Sequence, residues 1–227
     1  MKNDNLLILV PARSGSKGIK DKNICSWKGK PLIMHTINYL QRENFQFNQI
    51  IISTDSRDYL SKFLDYGIPE SSLLLRPSCL AEDNVVDYPV ALHAWSYFEN
   101  KNNRKIKYIA LLRPSSPSRP SNLIQEGLKI LDKDPSITSV RAMRKTSEHP
   151  YRIWKKLDNN IVEPLIFKNR EPGNIPRQLL ENKYFFQSGE LEIFRRSTLQ
   201  AGSISGDNVG ILEINQVNPD IDTINDL

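Results

Sequence analysis

The sequence predicts an α/β fold with a mostly parallel central sheet flanked by helices. Residues 6–10 and 108–112 are short, continuous apolar runs, which are typical of strands buried on both faces of a sheet. Strand-like and helix-like runs alternate between these two and beyond, as in folds built from parallel strands and crossover helices. The 227 residues are enough for one large α/β domain, so we expect residues 1–227 to form a single domain.

Each element of this fold is predicted from its local pattern. Short runs rich in aliphatic residues predict strands at 6–10, 49–53, 72–75, 108–112, 189–194 and 209–214. Apolar residues at helical spacing predict helices at 32–40, 57–66, 88–98 and 123–131. Ser121 is the expected N-cap of the last helix, because serine readily accepts a hydrogen bond from the first turn.

The alternation of strands and helices stops after about residue 140. Segments there become shorter, prolines such as Pro150 and Pro164 recur, and Asn159-Asn160 predicts a turn. We therefore expect an inserted antiparallel arm over roughly residues 141–187.

Composition and charge exclude some classes of protein and leave others open. No apolar run approaches the roughly 20 residues that cross a bilayer, and the first residues lack the pattern of a signal peptide, so we expect a cytoplasmic protein without a membrane partner. Cys25 and Cys79 have no metal-binding spacing and are expected to be reduced thiols. The formal net charge of +5 suits a polyanionic small substrate, weak nucleic-acid binding or ordinary surface variation. The absence of a basic tail or a zinc-finger pattern argues against nucleic acid.

The loop that follows the first predicted strand carries the strongest chemical signal. Small residues lie at Ser14, Gly15, Ser16 and Gly18, among the cations Arg13, Lys17, Lys20 and Lys22. Glycines let backbone N–H groups approach an anion, and cations balance its charge. The loop matches neither a P-loop nor a dinucleotide fingerprint. We interpret it as a nucleoside triphosphate site, with a solvated surface turn as the alternative.

Open α/β sheets bind ligands at the carboxyl ends of their strands. This rule selects the loops at residues 11–23, 53–57, 76–87 and 113–121. Asn23 lies in the first of them and offers both a donor and an acceptor to a base or a ribose.

A second candidate site lies near the carboxyl end, at Asp220 and Asp222. Residues i and i+2 of an extended segment point to the same side, and two carboxylates there suit Mg²⁺. The alternative is a polar turn, which Asn218-Pro219-Asp220 favours.

Several motifs, in the same order along the chain, resemble those of the acylneuraminate cytidylyltransferases. The first is Pro-Ala-Arg-Ser-Gly-Ser-Lys-Gly-Ile at residues 11–19, followed by Lys-Asn at 22–23 and Gly-Lys-Pro-Leu-Ile at 29–33. The later ones are Ser-Thr-Asp at 53–55, Arg-Pro-x-x-Leu-Ala-Glu-Asp at 76–83, Leu-Leu-Arg-Pro-Ser-Ser-Pro-Ser-Arg at 111–119, Pro-Arg-Gln at 176–178 and Asp-Ile-Asp-Thr at 220–223.

This resemblance implies a Rossmann-like nucleotidyltransferase fold that is usually dimeric and uses CTP and Mg²⁺. It implies that the enzyme activates a nonulosonic-type 2-keto sugar acid, giving CMP-sugar and pyrophosphate, and that the arm makes the homodimer contact. The catalytic residues would be Arg13, Lys17, Asp220 and Asp222, with the two aspartates as metal ligands. The nucleotide would be bound by Ala12, Arg13, Ser14, Gly15, Lys17, Lys22, Asn23, Arg76 and Asp87. The sugar acid would be bound by Arg113, Ser115, Ser116, Arg152, Arg177, Gln178 and Gln187.

Two segments depart from the pattern of that family. Arg113 stands where the family often has glutamine, and residues 187–193 read Gln-Ser-Gly-Glu-Leu-Glu-Ile where the family often has Asn-Gly-Ala-Ile-Tyr-Ile. Arg113 is expected either to pair with the carboxylate of the sugar acid or to form a buried structural ion pair. The alternatives for function are a Kdo-type or other sugar nucleotidyltransferase, a non-catalytic nucleic-acid-binding module and a degenerate family member that serves as a scaffold.

Overall fold

The computed structural model of the chain describes residues 5–166, 174–181, 183–216 and 218–227. Five helices are α1 Leu32–Arg42, α2 Arg57–Asp65, α3 Asp87–Asn102, α4 Leu123–Lys133 and α5 Arg196–Gln200. The strands are β1 Leu6–Pro11, β2 Ser26–Trp27, β3 Lys30–Pro31, β4 Ile50–Thr54, β5 Leu73–Leu75, β6 Tyr108–Leu111, β7 Ser139–Lys145, β8 Trp154–Lys156, β9 Val162–Pro164, β10 Phe185–Arg195 and β11 Val209–Glu213. Within the described residues, no helix combines the length and the apolar character needed to cross a membrane.

The central sheet has seven strands in the order β11-β7-β10-β6-β1-β4-β5. Strand β1 pairs in parallel with β4 and β6, and β4 pairs in parallel with β5. Strand β10 pairs with β6 in the antiparallel direction, with Glu192 opposite Leu111. The predicted α/β fold with a mostly parallel sheet is therefore confirmed.

The first parallel strand, β1, is buried on both faces of the sheet. Leu7 and Leu9 of β1 belong to one apolar cluster with Ala91, Ala94 and Phe98 of α3. Leu6, Ile8 and Val10 alternate with them along β1, point to the opposite face and are equally buried. This two-sided burial explains why the strand sequences read as continuous apolar runs rather than as alternating ones.

The start of α4 differs from its predicted form. The residue before the helix is Asn122, whose φ of 60° lies in the left-handed region, and its side chain makes no capping hydrogen bond. The prediction of Ser121 as the N-cap was wrong. Asparagine adopts this backbone conformation more readily than most residues, and its N–H donates to Glu43 Oε2 at 2.9 Å.

The chain divides into two compact units. The first comprises residues 1–142, 188–212 and 218–227, and the second comprises residues 143–187 and 213–217. The second unit contains the antiparallel hairpin β8–β9, whose turn includes Asn159 and Asn160 with φ values of 60° and 62°. This confirms the predicted turn and a small antiparallel element. The division of the chain into one domain with an arm over 141–187 stays a prediction, and residues 167–173 and 182 of that arm lie outside the described residues.

Candidate functional site

The loop after β1 is held in place by buried side-chain contacts. Asn23 is buried, and its Nδ2 donates to the carbonyl oxygen of Arg13 at 2.8 Å. The backbone N–H and the hydroxyl of Ser14 both donate to the Asp55 carboxylate, at 2.9 Å and 2.8 Å. These contacts fix the peptide group between Arg13 and Ser14, from which the Arg13 side chain extends. Asn23 thus uses its amide donor to hold the loop.

The two cations of the loop predicted to be catalytic share one carboxylate. Arg13 Nη1 lies 2.9 Å from Asp83 Oδ1, and Lys17 Nζ lies 2.7 Å from Asp83 Oδ2. Arg13 Nη1 also donates to the carbonyl oxygen of Ala81 at 3.0 Å. Hydrogen bonds from Lys17 and Arg13 hold the pKa of Asp83 below its ordinary value. Both cations therefore face the loop that follows β5.

The segment near the carboxyl end lies directly against the loop after β1. Lys22 Nζ lies 2.8 Å from Asp222 Oδ1, which joins the two segments by an ion pair. Ile221 is fully buried in an apolar cluster with Ile19, Trp27 and Leu32. A Cβ placed on Gly18 would lie 2.1 Å from the main-chain oxygen of Asp222, so only glycine permits this approach. The cationic loop and the acidic segment therefore lie side by side in the structure.

The two predicted metal ligands make different contacts. Asp222 pairs with Lys22, whereas Asp220 Oδ1 accepts a hydrogen bond from Ser116 Oγ at 3.2 Å. The backbone N–H of Ile221, between them, donates to the carbonyl oxygen of Ser115 at 2.7 Å. The segment with both carboxylates is thus hydrogen-bonded to the loop after β6.

These loops enclose a cavity of about 370 Å³ at the carboxyl ends of the parallel strands. Nine of the predicted site residues line it, namely Arg13, Lys17, Lys22, Asn23, Arg76, Asp87, Arg113, Ser115 and Asp222. Ala12, Ser14, Gly15, Ser116 and Asp220 belong to the same loops and are not among its lining residues. The cavity lies where the rule for open α/β sheets places a ligand.

Arg76 is the most deeply buried cation in the lining of this cavity. Its exposed fraction is 4%, and its Nε has no hydrogen-bond partner within the described part of the chain. Burial lowers the pKa of its guanidinium, against the opposing effect of Asp55 and Asp87. A buried donor without a partner is costly unless a ligand supplies an acceptor, so Arg76 is suited to bind a polar ligand in the cavity.

Arg113 lies in a buried ion-pair network. Its Nη2 contacts the Asp87 carboxylate, and its Nη1 lies 2.6 Å from Glu192 Oε1. The other oxygen of Glu192 lies 3.0 Å from Arg141 Nη2. Burial lowers the pKa of Arg113, but the carboxylates of Glu192 and Asp87 outweigh that effect and raise it. Of the two expectations for Arg113, the structure shows the internal ion pair, while its role in substrate binding stays a prediction.

The network also links the two segments in which the sequence departs from the family pattern. Arg113 belongs to the first departure and Glu192 to the second. Glu192 is almost completely buried, and a buried carboxylate is costly unless a cation pairs with it. Arg113 supplies such a cation, so the two departures from the family pattern complement each other in charge.

The remaining predicted residues lie in the second compact unit. Arg177 and Gln178 line a cavity of about 620 Å³ together with Lys145, His149 and Tyr184 of that unit. Arg152 is exposed, and its Nη2 lies 3.4 Å from the carbonyl oxygen of Ile175. Gln187 is an exposed residue of β10. Their predicted roles in sugar binding stay predictions.

Three carboxylates of the first unit were not assigned a role from the sequence. Asp83 pairs with the two loop cations, Asp55 holds the loop backbone, and Asp21 accepts a hydrogen bond from Tyr59 Oη at 3.1 Å. Burial, reinforced by that hydrogen bond, raises the pKa of Tyr59. Asp55 and Asp83 are the last residues of two motifs that resemble the family pattern. Their place in those motifs is the feature of the sequence from which a role could have been predicted.

Comparison with known proteins agrees with the motifs. The family model described as cytidylyltransferase matches residues 7–100, which include β1, its loop and most of α3. The N-acylneuraminate cytidylyltransferase of Escherichia coli is 36% identical over 147 residues, which are 63% of this chain and 33% of that protein. Both matches agree with the family that the motifs resemble.

The cytidylyltransferase similarity extends to a relative of nearly matching length. The CMP-N,N'-diacetyllegionaminic acid synthase of Legionella pneumophila is 29% identical over 205 residues, which are 80% of this chain and 82% of that protein. The chain nevertheless spans only about a third of the length of the first curated relatives that it matches.

A solved structure confirms the nucleotidyltransferase fold. The CMP:2-keto-3-deoxy-manno-octonic acid synthetase, described as complexed with CTP, superposes with a TM-score of 0.64 at 16% identity. The match covers 96% of this chain and 93% of that one. At this identity the likeness concerns the fold alone.

Proposed function

We propose that the chain is a nucleotidyltransferase that transfers CMP from CTP to a nonulosonic-type 2-keto sugar acid, with pyrophosphate as the second product. The observation that carries this proposal is one cavity lined by the cations Arg13, Lys17 and Arg76 and reached by the acidic segment at residues 220–222. Such a cavity suits a polyanion held at one end by cations and at the other by a metal. The family match and the names of the relatives support CTP as the nucleotide.

The reaction demands alignment and charge neutralisation more than covalent chemistry. The sugar hydroxyl attacks the α-phosphorus of CTP, the bond to the β-phosphate oxygen breaks, and pyrophosphate leaves. Arg13 and Lys17 would neutralise the leaving pyrophosphate, and the rigid loop would hold their side chains in line with the scissile bond. Asn23 and Ser14 contribute indirectly, since their hydrogen bonds fix the loop on which both cations lie.

Mg²⁺ is part of the proposal, with Asp220 and Asp222 as its protein ligands. Within the described ranges, which omit 1–4, 167–173, 182 and 217, no group of three or more His, Cys, Asp or Glu side chains is placed to hold a metal ion. A pair of exposed carboxylates still fits, because Mg²⁺ is usually held by one or two carboxylates together with substrate phosphates and water. When bound, the ion would supply positive charge to phosphate oxygens and lower the pKa of the attacking hydroxyl.

The acceptor is proposed as a nine-carbon keto-sugar acid, with a Kdo-type acid as the second candidate. The names of the sequence relatives include acylneuraminate and legionaminic acid enzymes, whereas the similar solved structure is a synthetase of the CMP derivative of an eight-carbon acid. Pyrophosphate release measured with CTP and a panel of N-acetylneuraminic acid, a diacetylated legionaminic acid and Kdo would separate the two.

A homodimer in the cytoplasm completes the proposal. The second unit exposes several large apolar side chains, among them Trp154, Ile161, Val162 and Leu165, which a second copy would cover. Cys25 and Cys79 are free thiols, as is usual in a reducing compartment. Sedimentation of the intact chain and of Trp154→Lys would test the dimer, since the charged variant should dissociate to monomers.

The central test is the Arg13→Ala variant. Removing a cation aimed at developing charge typically costs about a hundredfold or more in turnover, so pyrophosphate release should fall by that factor while thermal stability is retained. Arg42→Ala, an exposed arginine at the end of α1, is the matched control and should keep full activity. Near-normal release by Arg13→Ala would refute the proposed role.

The metal ligands need their own test. Asp220→Asn and Asp222→Asn should each abolish activity or greatly raise the Mg²⁺ concentration that is needed for half-maximal rate. An Mg²⁺ dependence that is unchanged in both variants would remove the metal role while leaving the roles of Arg13 and Lys17 open to the first test.

A further inference from the structure

Asp83 occupies both cations to which the proposed function assigns the pyrophosphate end of the nucleotide. Each of its carboxylate oxygens contacts one of them, Oδ1 with Arg13 at 2.9 Å and Oδ2 with Lys17 at 2.7 Å. Two oxygens of one anion on two neighbouring cations is also the arrangement that a phosphate group would make. The carboxylate therefore stands where the ligand is expected.

The backbone around Asp83 is held by hydrogen bonds of its own loop. The carbonyl oxygen of Ala81, two residues earlier, accepts a hydrogen bond from the same Arg13 Nη1 at 3.0 Å. Ala81 N–H in turn donates to Ser78 O at 2.8 Å, and Val85 N–H donates to Glu82 O at 3.2 Å. These turns present Asp83 to the cavity, which it lines together with Glu82.

Asp83 stays ionised under ordinary conditions. Its hydrogen bonds from Lys17 and Arg13 keep its pKa below the ordinary value for an aspartate, so its negative charge persists at neutral pH. A phosphate ligand that reaches these cations meets a charge of its own sign, and it must displace the carboxylate.

We propose that Asp83 is an internal competitor that weakens the binding of every ligand whose phosphates contact Arg13 and Lys17, pyrophosphate included. The inference rests on the proposed function for its ligand class. It adds a consequence for the reaction sequence. When pyrophosphate leaves, Asp83 returns to the two cations, so release of this product does not expose bare charges in the cavity.

Binding of inorganic pyrophosphate, measured by calorimetry in the presence of a metal chelator, tests this inference. Asp83→Asn removes the charge and keeps the size of the side chain. In this variant pyrophosphate no longer has to break the two exposed ion pairs that Asp83 makes with Arg13 and Lys17. It should therefore bind Asp83→Asn about two- to tenfold more tightly than the unmodified chain. At about 1 M salt, where the screening length is about 3 Å, the difference should shrink.

Two variants separate charge from shape. Asp83→Glu keeps the carboxylate and should bind pyrophosphate as weakly as the unmodified chain. Asp58→Asn removes another exposed carboxylate, which pairs with Lys62 at 2.8 Å on α2, away from the cavity lining, and should change nothing.

Equal or weaker binding by Asp83→Asn would overturn the inference, because the carboxylate would then organise the cations rather than compete for them. Tighter binding by Asp83→Glu would do the same, as would the absence of pyrophosphate binding in all variants. No CTP, sugar or turnover enters this measurement. A chain that binds pyrophosphate as described but releases none from CTP would refute the proposed function and leave the competition intact.

Discussion

A methyl group at Gly18 tests the contact that joins the loop after β1 to the acidic segment. In Gly18→Ala the new Cβ would lie 2.1 Å from the main-chain oxygen of Asp222 and 3.3 Å from its carbonyl carbon. Non-bonded atoms rest at about 3.5 Å, so the segment at 220–222 or the loop must move by about 1 Å. The atom that is met belongs to the backbone and cannot rotate away.

Gly15, in the same loop, provides the matched control for this variant. A Cβ on Gly15 would meet no atom within 4 Å, and neither glycine has a positive φ. Both alanine variants therefore gain the same stabilisation from a less flexible unfolded chain, about 0.4–1 kcal/mol. Only Gly18→Ala also bears the cost of overpacking, about 1–3 kcal/mol. The difference between the two variants is this overpacking cost alone.

Thermal unfolding followed by circular dichroism measures that difference. For a chain of this length 1 kcal/mol corresponds to about 2–4 °C, so Gly18→Ala should melt about 2–12 °C below Gly15→Ala. Because the acidic segment is displaced, Gly18→Ala should also need more Mg²⁺ for pyrophosphate release. Equal melting temperatures for the two variants would refute the close contact between the loop and the segment.

Two further predictions concern one buried and one exposed carboxylate of the first unit. Glu192→Gln should lower the free energy of unfolding by about 3–5 kcal/mol in urea titrations, because Arg113 and Arg141 lose the buried carboxylate between them. Glu126→Gln, which breaks the exposed pair with Lys129, should cost about 1 kcal/mol or less, and equal costs would contradict the network. Asp132→Asn should flatten the acid limb of the stability profile. Hydrogen bonds from Tyr108 and Lys107 lower the pKa of Asp132 below 3.8, so its stabilisation is present above that pH and is lost as the pH falls through the lowered pKa. Melting temperatures of the unmodified chain and of Asp132→Asn should be compared at a series of pH values between 7 and 3. If the two melting temperatures fall in parallel, Asp132 contributes nothing to the pH dependence.

The strands of the parallel sheet could be predicted because their signal is local. Residues 6–10 and 108–112 are apolar throughout, and burial on both faces requires that pattern. Strand β7, Ser139–Lys145, was not predicted, because it mixes apolar residues with Arg141, Arg144 and Lys145. Arg141 pairs with Glu192, which lies far along the chain. The residues around Arg141 therefore do not show that its charge has a partner.

The candidate site likewise has a part that could be predicted from local sequence and a part that could not. The cations of the loop after β1 are visible in one short segment, and the loop rule correctly selected the sheet edge on which the cavity lies. The partners of those cations are not visible, because Asp83 and Asp222 reach them from distant parts of the chain. The sequence left the environment of Arg113 open between two alternatives, and only the fold shows the carboxylates of Asp87 and Glu192 around it.

The contact of Gly18 with residue 222 also limits how such a chain can change over generations. The obstructing atom is a carbonyl oxygen of the main chain, which every amino acid carries. No exchange of the side chain at 222 makes room for a larger residue at 18, so a compensating substitution at that partner does not exist. Relief requires a shift in the main chain of one of the two segments.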